Sequence, residues 1–287
     1  MTPFNAHSTD IADPGHGWRW SLARRLSLVA PAWVLIVVAL WPASGIAESV
    51  IVLGALVALV VLVLLRFRYG DQLLSGPAWA LTSVLFFAYW FPQLISAFDA
   101  LDQGRAFRES LVDLRYLPYL WLVAAAVANE RGRRITFGGL AIIVAVWTMD
   151  ALLQVVSGTS PLFWGIDQIK QLISGHGMCT AADMAVVDRL SGILGPCNLK
   201  LGVVLASLSP FALFALAKRF GLLGWSLAAA AIGMVILLAG ARAAWLTYTL
   251  VLVFSGWRLL GWKKLLGVFA FGAAALVVLT LFSPQFE

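Results

Sequence analysis

Apolar runs of membrane-spanning length alternate with short polar segments along the chain, and this alternation predicts helical spans near 26–43, 48–65, 78–98, 111–128, 135–156, 198–217, 221–240, 242–257 and 265–282. A helical crossing needs about 20 predominantly apolar residues. An open β edge has no partner for its backbone in hydrocarbon, so every span is predicted to be helical. The fold class is therefore all-α: a polytopic integral membrane protein of about nine transmembrane helices. Residues 1–25 form a polar tail, 26–156 carry spans 1–5, 157–197 form a long connection, and 198–287 carry spans 6–9. The apolar run after the tail lacks a small-residue cleavage site, so it reads as a retained first span and not a signal peptide.

Composition sharpens this picture. Hydrophobic residues make up 61% of the 287 positions and charged residues only 12%, about half the charged share of a soluble domain. The 13 tryptophans suit aromatic belts at the two membrane interfaces. The net charge of +6 reads as topology and not as nucleic-acid binding, because most basic residues sit in short segments between apolar runs. With the N-terminus cytoplasmic, thirteen of the 20 Lys and Arg residues fall on the inner side and seven on the outer. The positive-inside rule favours that orientation and puts the C-terminus outside.

The outer basic residues are then the exceptions, and function is sought among them. The long outer connection ends in DRLSGILGPCNLKLG (188–202), which leads into the sixth span. Asn198 is positioned as an N-cap, and Arg189 and Lys200 flank a helix start whose free amides attract anions. The alternative is a loop-to-helix entry with snorkelling basic ends. Arg242 lies in LLAGARAAWL (237–246), where small residues let a backbone or a ligand approach closely. It is either an interfacial arginine facing lipid phosphate or, with Arg189 on the same side, half of a diphosphate clamp. Asp150 lies within the fifth span with Gln154 one turn on. An intramembrane carboxylate of this kind is either functional or a polar contact between helices. Arg105, Arg108 and Arg115 share a helical face interleaved with Glu109 and Asp113. That pattern reads first as a self-neutralised amphipathic lead-in to the fourth span, and second as a contribution to an anionic-lipid groove. Cys179 and Cys197 both lie in the outer connection, as a disulfide closing a loop around Arg189 or as two free thiols. His176 is an incidental loop histidine. The sequence holds no metal-ligand cluster, Walker loop, GxSxG or CxxC, so no metal and no cofactor is expected.

DRLSGILGPCNLKLG, followed about fifty residues later by LLAGARAAWL, resembles the O-antigen ligase and O-antigen polymerase superfamily. DALLQVVSGTSPLFWG (150–165) looks like the stretch before the long outer loop in the ligases, and NLKLG leans toward a ligase. The resemblance covers roughly 105–282. It implies an all-helical, metal-independent glycosyltransferase in the bacterial inner membrane. Its partners would be an undecaprenyl diphosphate-linked glycan donor and a lipid A-core acceptor on the periplasmic face. Arg189 and Arg242 fall on the family's diphosphate-holding arginines, with Asp150, Gln154, Asn198, Lys200, Arg108 and Arg115 as supporting residues. In the family a large outer loop carrying the catalytic histidine follows the ninth span, and this chain stops at FSPQFE (282–287) as that loop would begin. The expectation is a chain that holds the donor site without the general base, whose loss costs about 10²–10⁴-fold in rate. His176 does not inherit that role. A polymerase acting on a second lipid-linked glycan is the nearest alternative, and a transporter of an anionic lipid-linked substrate is a more distant one.

Overall fold

In a computed structural model that describes residues 16–65, 74–179 and 189–282, every regular element is helical and no strand occurs among the described residues. The helices are α1 (His16–Ala39), α2 (Ser44–Val63), α3 (Gly76–Ser96), α4 (Gln103–Asp113), α5 (Tyr116–Ala126), α6 (Glu130–Ser157), α7 (Pro161–Ser174), α8 (Leu201–Leu238) and α9 (Arg242–Phe282), with single 3-10 turns at Ala97–Asp99 and Gly192–Leu194. Four segments among the described residues, Gly45–Val63, Gly76–Asp99, Glu130–Ser157 and Leu201–Leu238, are long and apolar enough to cross a membrane. Large apolar side chains are exposed along them, with Val156 at 87% and Leu246 of α9 at 72%. Water would not tolerate such a surface over so many turns, whereas lipid does.

The chain divides into two compact units within α6, near Thr136. In the first unit, α5 packs against α1, α2 and α3. The buried seam joins Leu26, Ala30 and Val34 of α1 to Ala58 and Leu62 of α2 and Leu122, Ala125 and Ala126 of α5. Indole N–H groups of this unit find oxygen partners. Trp33 Nε1 donates to the Val50 carbonyl at 3.0 Å, and Trp90 Nε1 to the Ser110 carbonyl at 2.7 Å. The expected single span at 111–128 is here two short helices, α4 and α5, broken at Leu114–Arg115. Pro118 explains the break: it has no N–H to offer the residue-114 carbonyl and its ring crowds that oxygen. The expected boundaries shift elsewhere too. α1 begins ten residues before position 26, and α6 begins at Glu130, taking Arg131, Arg133 and Arg134 into its first turns.

In the second unit, α8 and α9 each run as two limbs. Their breaks fall at Gly221 (φ 64, ψ −142) and Gly261 (φ 74, ψ 162), conformations open to glycine and strained for other residues. Both breaks are reversals. A Cβ on Gly224 would meet the Leu216 carbonyl oxygen at 2.5 Å, although residues eight apart lie about 12 Å apart along a continuous helix. A Cβ on Gly256 would likewise meet Leu265 at 2.4 Å. Leu213, Trp225, Ala228 and Leu265 form one buried cluster across the limbs, and Trp225 Nε1 donates to Ser255 Oγ at 3.3 Å. The sequence places turns at both glycines, each beside basic residues (Lys218 and Arg219; Arg258, Lys263 and Lys264).

Gly221→Ala is expected to destabilise the protein by about 1–3 kcal/mol, because its backbone conformation is closed to a β-carbon. Gly138→Ala, where a Cβ meets nothing within 4 Å, should be neutral or stabilising by up to about 1 kcal/mol. Thermal unfolding of both variants in detergent checks the contrast.

Candidate functional site

In the second unit, the described residues of the connection between α6 and α8 are held by side chains of α6 and α7. Ser160 and Pro161 start α7: the Ser160 hydroxyl accepts from the Phe163 N–H at 3.0 Å, with Pro161 at the first helical position. Asp150 reaches this start from α6. It is only 3% exposed. Its Oδ2 accepts from the Ser160 hydroxyl at 2.6 Å and its Oδ1 from the Leu162 N–H at 2.9 Å. Both carboxylate oxygens are thus used to fix where α7 leaves α6. Gln154, one turn on, holds the next segment: its Oε1 accepts from the Gly192 N–H at 2.7 Å and its Nε2 donates to Ser191 Oγ at 3.5 Å.

Gly192 (φ +51) fits between helices, where a Cβ would meet Leu201 of α8 at 3.0 Å and Ala151 of α6 at 3.4 Å. Gly195 (φ +74) lies under the ring of Phe163 from α7, at 2.0 Å from an added Cβ. The segment 175–179 is tied to α7 through Asp167, which accepts from the Met178 N–H and, at 2.7 Å, from Gln171 Nε2. A disulfide joins Cys179 to Cys197 and closes the connection. Residues 180–188 lie outside the described residues, and Arg189 and Leu190 emerge from them.

Arg189 packs on the turn between α8 and α9. The Leu190 N–H donates to the Leu238 carbonyl at 3.4 Å. A Cβ on Gly240 would sit 3.4 Å from Arg189 Nε and 3.8 Å from its Cζ, so the arginine side chain packs beside the bare glycine. Gly240 has φ +68, and two residues later Arg242 begins α9 with its side chain exposed. The small residues around Arg242 do admit a close approach, and what approaches is Arg189. The start of α8 joins the same turn, where a Cβ on Gly202 would meet Ala239 at 3.3 Å and Ala244 at 3.4 Å. Exposed Lys200 adjoins that start. Asn198 does not cap α8 as expected. It sits two residues before the cap position and accepts from the Lys200 N–H at 3.3 Å, while Lys200 itself provides no side-chain bond. Among the described residues, no side chain accepts from the first amides of α8.

Arg108 and Arg115 belong to the first unit. Arg105 pairs with Glu109 at 2.9 Å, which raises the guanidinium pKa through that hydrogen bond. Arg108 is exposed. Arg115 departs from the expected self-neutralised face, because the break at Leu114 turns it toward α2, where it meets Glu48 at 3.4 Å. Asp113 accepts instead from Gln93 Nε2 at 2.9 Å. No group of metal-ligating side chains occurs among the described residues. Sequence reasoning passed over Ser160, Ser191 and Asp167. The Ser-Pro pair at 160–161 was a readable helix start, whereas the partners of Gln154 depend on chain reversal.

Asp150→Ala should speed hydrogen exchange across 160–178 by about tenfold or more, because two hydrogen bonds to a buried carboxylate are lost. The Cys179→Ser/Cys197→Ser pair should lower the unfolding free energy by about 3 kcal/mol, as the free loop regains entropy. Exchange mass spectrometry and thermal unfolding measure these. No family model, curated protein or solved structure matches the chain.

Proposed function

We propose that the second unit binds the diphosphate of a polyprenyl-linked glycan between Arg189 and Arg242, and that the chain is an O-antigen ligase-type glycosyltransferase of the bacterial inner membrane. The observation that carries this reading is the packing of the Arg189 guanidinium on Gly240, two residues from Arg242. Two unrelated stretches of sequence thereby supply cations to one turn, beside the uncapped start of α8 and Lys200. Counting each limb of α8 and α9 as a crossing, with a cytoplasmic N-terminus, puts this turn on the periplasmic face, where the lipid-linked donor presents its glycan.

The chemistry follows from charge. Transfer breaks the bond between the anomeric carbon and a diphosphate oxygen and leaves negative charge on that oxygen. The acceptor sugar's hydroxyl oxygen forms the new bond to that carbon and loses its proton, which balances the charge on the departing diphosphate. Guanidinium groups preorganised at the diphosphate stabilise the developing charge without reorganising. Their planar donor forks match phosphate oxygens, and the anion also faces the amides of a helix N-terminus. Gln154 supports the arrangement by holding Ser191 and Gly192, the residues that follow Arg189 into α8. The resemblance favours a lipid A-core sugar as the acceptor.

The chain reconstituted in nanodiscs is expected to bind undecaprenyl diphosphate and to ignore undecaprenol, which has the same tail and no phosphate. Arg189→Ala and Arg242→Ala should each weaken binding about tenfold or more, equivalent to about 1.4 kcal/mol. Gly240→Ala should weaken it with both arginines present, since a β-carbon strains the positive φ of the turn on which Arg189 packs. Equal binding by wild type and both arginine variants would sink the clamp.

A further inference from the structure

We infer that Arg115 and Glu48, at the head of a groove on the first unit, form a binding site for a phospholipid with a phosphoethanolamine headgroup. The groove is lined by Gly45, Glu48, Ser49, Val52, Leu53 and Leu56 of α2 and by Arg115, which lies beside Glu48. The α2 positions recur at intervals of three and four, so they form one helix face about three turns long. That face is graded. Glu48 and Ser49 lie at the Arg115 end, and the exposed side chains of Leu53 and Leu56 continue from it. A charged head that runs into an apolar strip is the complement of a lipid and not of a free metabolite.

The head is specific in its charges. Arg115 and Glu48 approach at 3.4 Å, with their side chains 23% and 55% exposed. A purely anionic headgroup would meet the Glu48 carboxylate as a like charge, and a headgroup without phosphate would leave the arginine unused. A phosphate joined by a short linker to a primary ammonium satisfies both. The phosphate oxygens accept from Arg115, and the ammonium N–H groups donate to the more open Glu48 carboxylate. Arg115 has donor capacity to spare. Its Nη2 carries the contacts to the Tyr116 hydroxyl at 3.3 Å and to Glu48 at 3.4 Å, and the side chain stays 23% exposed, so further terminal N–H groups of its donor fork can face a phosphate. A quaternary ammonium has no N–H for Glu48, so a phosphocholine lipid fills the groove without that bond. The site lies in the first unit and stands independently of the donor site proposed above.

The test is native mass spectrometry of the full chain, exchanged into detergent with equimolar phosphatidylethanolamine, phosphatidylcholine and phosphatidylglycerol. Wild type should retain phosphatidylethanolamine about fivefold or more over either competitor. Glu48→Gln, which keeps the shape and removes the charge, should erase the preference over phosphatidylcholine and improve retention of phosphatidylglycerol. Arg115→Ala should lose all three lipids from this site. If that variant fails to fold, Glu48→Gln alone decides. Equal retention of the three lipids by wild type, or an unchanged preference in Glu48→Gln, overturns the proposal. So does displacement by free phosphoethanolamine at the same concentration as the lipid, which would show that the groove takes the headgroup alone.

Discussion

A carboxylate buried among apolar helices must have both oxygens satisfied, and in the second unit Asp150 meets this requirement by accepting from the Ser160 hydroxyl and the Leu162 amide. The cost of leaving such a group unpaired is several kcal/mol, so the bond geometry dictates where α7 begins and how it leaves α6. From there the remaining contacts follow in order. Phe163 of α7 lies over Gly195, Asp167 gathers the segment that ends in Cys179, and the disulfide returns the chain to the entrance of α8. Gln154, one turn from Asp150, takes the Gly192 amide. Two polar residues on one face of α6 thus hold the connection at both of its ends.

The second unit also depends on glycines that reverse the chain. At Gly221 and Gly261 the backbone takes conformations that side chains resist, and the limbs fold back closely enough to bury Leu213, Trp225 and Leu265 together. Gly240 does a different task at the turn between α8 and α9. Its positive φ makes the turn, and the Arg189 side chain packs beside it. A side chain at that position would strain the turn at its positive φ. The small-residue run around Arg242 is therefore a surface for a cation as much as a helix-packing motif.

The first unit shows how one proline redirects charge. Pro118 breaks the expected fourth span, and the break frees Arg115 from its own helix face and gives it to Glu48 of α2. Periodicity along the sequence had paired the arginines with Glu109 and Asp113. That held for Arg105 and Glu109, which are four residues apart in α4, and failed for Arg115 because the helix does not continue through it.

The sequence by itself determined that the chain is helical and apolar enough to cross a membrane, where the polar interruptions fall, and that Asp150, Gln154, Arg189 and Arg242 are the polar residues out of place. These properties are local: hydropathy, helical period and the conformational freedom of glycine act within a few residues. Only the tertiary structure decided what those residues touch. That both oxygens of Asp150 are taken up at the start of α7, that Gln154 holds Gly192 and that Arg189 rests on Gly240 all require chain reversals. A reversal brings together residues 10 to 50 positions apart, and no periodicity in the sequence encodes which backbone atom will meet which side chain.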